Sequence, residues 1–96
     1  MNPDLTERLF AEFPELFRGR HLPVTQNLMG FGFECEDGWY DLIRQLAADI
    51  VAHAAQVGSN PLAVQVKQEL GTLRFRLDQA DEQLYALCAA AERQSC

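Results

Sequence analysis

Three cysteines, Cys35, Cys88 and Cys96, and two histidines, His21 and His53, are the side chains of this 96-residue chain best able to act as nucleophile, base or metal ligand. A thiolate beside an imidazole is a nucleophile, and Cys35 with His53 is the pair such chemistry would use. Neither spacing nor a flanking motif supports that pair. The cysteines lie far apart, without the C-x-x-C spacing of a zinc site. Three is also an odd number, which does not suit the disulfide framework of a small secreted domain. Cys35 and Cys88 therefore read as small buried apolar side chains and Cys96 as an exposed one. His53 lies at the edge of a helical apolar stripe with no second metal donor at helical spacing, and reads as a partly buried structural histidine. Gly30-Phe31-Gly32 lacks the third glycine and the Gly-Lys-Ser/Thr signature of a phosphate-binding loop. The expectation is a protein with no catalytic residues, no metal and no cofactor.

Carboxylates are more informative. The chain sets 14 Asp and Glu against 8 Lys and Arg, a net charge of −6, and has one lysine, Lys67. That balance argues against direct binding of nucleic acid, which needs clustered Lys and Arg for its phosphates. Residues 1–17, 34–49 and 78–96 are net acidic, while 18–33 and 50–77 are net basic. The densest acidic run is Glu34, Glu36, Asp37 and Asp41, beside Trp39 and Tyr40. Two readings stand. The run is solvated surface, with Asp37 capping a helix and Trp39 covering the core. Or these six residues bind a basic partner, the carboxylates setting approach and orientation and the aromatics adding affinity.

The elements that must position these residues follow from periodicity. Asn2 and Pro3 open a helix over 3–17, with Leu5, Leu9 and Phe13 every four residues and Pro14 breaking or kinking it. Met29, Phe31, Phe33 and Cys35 alternate with Gly30, Gly32 and Glu34, predicting a strand near 28–35. Its glycine face is either covered by a helix or open to a partner. Leu42, Ile43, Leu46, Ile50, Val51, Ala54 and Val57 predict a helix over 38–57, stopped by Gly58 and Pro61. Residues 63–69 and 72–77 read as a hairpin about Leu70-Gly71, pairing Val66 with Phe75 and Val64 with Leu77. A helix over the first half is the alternative, given Asn60-Pro61, Gly71 and the four-residue spacing of Leu62, Val66 and Leu70. A last helix over 79–94 takes Asp78 as its cap and buries Leu84, Leu87, Cys88 and Ala91. The predicted fold is a single α+β domain, residues 1–96, with a small antiparallel sheet packed against three helices. No apolar run reaches the ~18 residues of a membrane span, and the N-terminus is not a signal sequence, so a cytoplasmic protein is expected.

Several blocks occur in one order: Phe13-Pro14-Glu15-Leu16-Phe17, then Cys35-Glu36-Asp37-Gly38-Trp39-Tyr40-Asp41-Leu42-Ile43, then Gln65-Val66-Lys67-Gln68-Glu69-Leu70-Gly71-Thr72-Leu73-Arg74-Phe75, then Ala91-Glu92 with Ser95-Cys96. This order resembles a family of small phage and prophage proteins of largely unassigned role. The family pattern runs Gly-Asp-Gly-Trp-Tyr, then Gln-Val-Lys-Glu-Lys-Phe-Gly-x-Leu-Arg-Phe, then Ala-Glu-x-x-Ser-x-x-Cys. Gln68-Glu69-Leu70 stands where the family has Glu-Lys-Phe, and relatives continue past the position of Cys96 into a C-x-x-C pair. The resemblance implies a mobile-element protein in a bacterial host. Small acidic phage proteins without catalytic residues often bind and block host machinery, anti-CRISPR proteins among them. The expected function is inhibition of a host defence complex: an anti-CRISPR whose acidic surface binds a multisubunit CRISPR effector and blocks target DNA. The alternatives are a phage structural or regulatory module acting by self-association or protein binding, and a thiol- or metal-dependent enzyme fragment.

Overall fold

The computed structural model describes residues 1–95; the expectation that Cys96 is exposed lies outside them. Three α-helices and a three-stranded mixed sheet form a small α+β domain. Helix α1 spans Pro3–Glu12, strand β1 Phe33–Glu34, helix α2 Tyr40–Val57, strand β2 Leu62–Glu69, strand β3 Thr72–Asp78 and helix α3 Glu82–Gln94. Apolar side chains from all six elements meet in one core. At its centre Phe17 lies 5.1 Å from Phe33, 5.8 Å from Phe10 and 6.2 Å from Phe75, ring centre to ring centre. These are tilted or edge-on contacts, the geometry aromatic quadrupoles favour.

Helix α1 opens as its sequence dictates. Asn2 Oδ1 accepts from the Leu5 N–H at 2.9 Å, and Pro3 takes the first helical position. The helix ends at Glu12 and not at 17, because Pro14 cannot donate to a preceding carbonyl. Residues 14–17 turn instead, and a 3₁₀ turn follows at Arg18–His21. Arg18 there is a clamp. Its guanidinium donates to Glu15 O, Asn60 Oδ1, Asn60 O and Pro61 O at 2.8–3.1 Å, tying this segment to the loop between α2 and β2.

The strand expected over 28–35 is largely absent. Leu28–Phe31 form a 3₁₀ turn, and only Phe33 and Glu34 are extended. Two local features override the alternation. Asn27 Oδ1 accepts from the Met29 N–H at 2.8 Å and starts the turn, and Gly32 at φ +75° breaks any continuous extended run. Phe31, expected beside Met29 and Phe33 on the core face, is 61% exposed. The glycine-faced strand is thus not a feature of this fold.

The hairpin is real, and the helical alternative for 63–69 is not. Val66 opposes Phe75 and Lys67 opposes Arg74 as expected. Leu70 at φ +53° and Gly71 at φ +81° make a two-residue turn of the type I′ geometry that matches strand twist. The other end departs: an irregularity between Ala63 and Gln65 makes Ala63, and not Val64, the partner of Leu77. β1 lies on the other side of β2 and runs parallel to it, Phe33 opposite Val66, so the sheet is mixed and not wholly antiparallel. A parallel pair needs a long crossover, and α2 supplies it.

Both flanks of the hairpin are covered. Ala63 donates its N–H to Leu16 O at 2.8 Å and accepts from Asn27 Nδ2 at 3.1 Å. Along β3, the Leu73 N–H donates to Ser95 Oγ at 2.9 Å and the Phe75 N–H to Glu92 Oε1 at 3.3 Å, so α3 lies across the outer edge of the sheet. Helix α3 starts at Glu82, three residues later than expected. Asp81, and not Asp78, is its cap, accepting from the Leu84 N–H at 2.9 Å, while Gln79 at φ +58° interrupts the chain before it. Leu84, Cys88 and Ala91 face the core, with Leu87 half-buried.

Candidate functional site

The acidic run sits where β1 hands over to α2. A 3₁₀ turn at Asp37–Trp39 leads into α2, which therefore begins at Tyr40 and not at 38. Asp37 does not cap α2. Its carboxylate accepts from the Asn2 N–H at 2.7 Å and from Asn2 Nδ2 at 3.0 Å, fastening the start of α1 to this junction.

The remaining members of the run take different positions. Glu34 is exposed, lies opposite Lys67, its Cα partner in the parallel pair, and accepts from Gln65 Nε2 at 3.3 Å. Glu36 is exposed at the mouth of two shallow depressions, one reaching Met1 and Asn2, the other reaching Gly71 and Ser95. Asp41 is exposed on the first turn of α2 and opens toward α3. Trp39 and Tyr40 are half-buried and pack against the core. Trp39 also lines the depression that reaches Gly71 and Ser95, beside Glu36.

Among the described residues, no Lys or Arg lies within ion-pair distance of Glu34, Glu36, Asp37 or Asp41. Cations elsewhere are engaged: Arg44 with Glu12 at 2.7 Å, Arg20 with Glu7 at 3.7 Å, and Arg74 with both Glu69 and Glu92. Arg20 also sits over the Phe10 ring, 4.5 Å from its centre. The four junction carboxylates thus form no close ion pair with Lys or Arg, although the N-terminal ammonium, which donates to Phe33 O and Cys35 O, and Lys67 opposite Glu34 stand in the same region. Their field acts on approaching cations over roughly a Debye length, ~8–10 Å in physiological salt.

Asp49 extends the acidic face of α2 beyond Asp41. Helix α2 presents Asp41, Gln45 and Asp49 on successive turns toward α3, where they border an open trench floored by Leu42, Leu46 and Leu87. Gln45 donates to Asp49 Oδ1 at 3.0 Å. The four-residue spacing of 41, 45 and 49 carried the signal, but placing it in a groove required knowing that α3 packs alongside.

The thiols and histidines fall out differently. Cys35 and Cys88 are buried and unpaired. Burial pushes the Cys88 thiol up to about 12 and raises that of Cys35, so neither supplies thiolate near neutral pH. His53 bonds through Nε2 to Asp81 Oδ2 at 2.9 Å, bracing α2 against the start of α3, and is not turned to Cys35. That hydrogen bond, with the backbone N–H of Leu84, holds the Asp81 carboxyl below its ordinary value. His21 is exposed. Among the described residues, no group of three or more His, Cys, Asp and Glu could hold a metal ion, and no helix is long and apolar enough to cross a membrane.

The junction therefore presents exposed carboxylates where β1 and a 3₁₀ turn lead into α2. Comparison with protein-family models, with curated proteins and with solved structures finds no match to this chain.

Proposed function

We propose that this chain is a binding module whose acidic junction engages a basic protein surface, and that it inhibits a nucleic-acid-handling complex by occupying the groove meant for the phosphate backbone. The observation that carries this reading is the set of exposed carboxylates, Glu34, Glu36 and Asp41, none of which lies within ion-pair distance of a Lys or Arg among the described residues. A groove evolved to hold phosphates presents Lys and Arg at close spacing, and a rigid carboxylate array competes for the same charges. In its specific form, which rests on the resemblance to phage proteins, the complex is a CRISPR effector and the chain an anti-CRISPR made in the bacterial cytoplasm.

The test reverses charge where the fold does not depend on it. Glu34→Lys, Glu36→Lys and Asp41→Lys are combined, leaving Asp37 and its bonds to Asn2 intact. The wild-type chain, tagged and used to capture partners from lysates expressing candidate effector complexes, should retain a complex and reduce its DNA binding. The triple variant should lose both while keeping the wild-type circular dichroism spectrum. Full inhibition by the folded triple variant refutes the reading.

A further inference from the structure

The trench between α2 and α3 has a shape and a charge that select one kind of occupant. Two adjoining depressions, of about 540 and 380 Å³, meet at Asp49 and Leu87 and together make up the groove. It extends along α2 from Asp41 to Gln56, which at 1.5 Å per residue is about 22 Å. Its walls are unequal. On the α3 side stand Ala86, Leu87 and Ala90, and the two alanines leave room for another backbone to come close. On the α2 side stand Asp41 and Asp49, with glutamines between and beyond them. Among the described residues, no Lys or Arg lines the groove; His53 lines it on the α2 side and bonds through Nε2 to Asp81.

We infer that this groove receives an amphipathic helix of about 15 residues from a partner protein, apolar along one stripe and carrying Lys or Arg on the flank that meets α2. The inference rests on the binding-module reading and adds to it a second contact, on a different face from Glu34 and Glu36. A helix is the fitting occupant because its length matches the groove and its side-chain ridges match the furrow between two packed helices. An extended strand would need exposed backbone to pair with, and the groove is bordered by helices whose backbone groups are bonded internally. The charge of the occupant follows from complementarity: among the described residues, Asp41 and Asp49 face it with no Lys or Arg within ion-pair distance, so an acidic helix would be repelled along the same wall.

The probe is a synthetic 15-residue helix with leucine at i, i+3, i+4 and i+7 spacing and lysine elsewhere, titrated into the full chain while amide NMR shifts are followed. Two control peptides accompany it, one with glutamate in place of lysine and one with the same composition but the leucine stripe scrambled. The expected result is shifts centred on Ala52, His53, Ala86 and Ala90, with no binding of the glutamate peptide and at least about tenfold weaker binding of the scrambled one. Asp49→Lys and Ala86→Arg, both at exposed positions, should each weaken the lysine peptide by about tenfold or more, whereas Glu34→Lys with Glu36→Lys should leave it bound in the groove. Equal binding of the scrambled peptide, or shifts centred on Glu34 and Glu36, overturns the inference in favour of unspecific charge attraction while leaving the junction surface standing. A dimer in sedimentation equilibrium that Ala86→Arg dissociates overturns it too, since a second copy then fills the groove. Loss of inhibition in the Glu34→Lys, Glu36→Lys double variant together with unchanged peptide binding separates the two surfaces.

Discussion

Gly19 and Asn27 should behave as one unit, and a double-mutant cycle measures this. Asn27 is a buried polar side chain, 2% exposed, and both halves of its amide are used: Oδ1 accepts from the Met29 N–H and Nδ2 donates to Ala63 O. Gly19 is what lets it sit there. A Cβ on residue 19 would fall 2.1 Å from Asn27 Nδ2, 2.4 Å from Cγ and 2.7 Å from Oδ1, so no small rotation relieves the clash. Asn27→Ala strands one buried donor and one buried acceptor at about 1–3 kcal/mol each, partly offset where water enters, giving about 2–4 kcal/mol. Gly19→Ala expels the same amide and should cost a similar amount. The two changes together should then cost little more than one alone, because the alanine at 19 fills space that the missing amide has vacated. Urea unfolding followed by circular dichroism reads this directly. With m of about 1–3 kcal/mol/M, a loss of 3 kcal/mol moves the midpoint by about 1–3 M. Additivity would predict a loss of about 4–8 kcal/mol, enough to unfold a domain of ordinary stability. A Gly19→Ala variant as stable as wild type, or a double variant that is additive, refutes the argument.

Three further outcomes are expected. Leu70, 95% exposed at positive φ, is unfavourable in its turn, and Leu70→Asn should stabilise the chain by about 0.5–1 kcal/mol in the same urea assay. Asp81→Ala should lower the melting temperature more than Asp81→Asn, which keeps the helix cap and loses only the carboxylate's charge. Because the folded state holds the Asp81 carboxyl low, its contribution is complete above the ordinary value of 3.8 and disappears as pH falls through the lower folded value; pH titration of stability should show the Asp81→Asn variant converging on wild type only there. In a Cys96→Ser background, Cys35 and Cys88 should react with a thiol reagent at pH 8 only after denaturant is added, since a Cys88 value near 12 leaves about a thousandfold less thiolate than the unperturbed 9.0. Rapid labelling of the native chain would contradict their burial.

What the sequence made legible was governed by local chemistry. Asn2-Pro3, Gly58 and the polar–apolar alternation of 72–77 each act within a few residues, and each gave the element expected of it. Residues 28–35 failed because a period-two pattern says nothing about backbone hydrogen bonds. Asn27 redirected the Met29 N–H, and its own place depends on Gly19 and Ala63, distant in sequence. The parallel pairing of β1 was hidden for the same reason: a two-residue strand carries no register signal. At the junction, all four carboxylates of the acidic run are exposed, in keeping with a solvated surface. Yet Asp37 was assigned to the nearest helix when its partner was Asn2, 35 positions away. The α2–α3 groove was invisible in principle, since it exists only when two helices lie side by side.

The closure of β3 by α3 bears on how this protein can be recognised. An open outer strand invites any extended peptide to join through backbone bonds, with little regard for its side chains. Here Ser95 and Glu92 have taken the outward N–H groups of Leu73 and Phe75, so that indiscriminate route is shut where α3 lies. Contacts with other molecules are left to side chains on the helix surfaces and at the β1–α2 junction. Such positions can be exchanged one at a time without disturbing the ladder beneath them. A scaffold of this kind is free to change its partner by surface substitution while its fold stays the same.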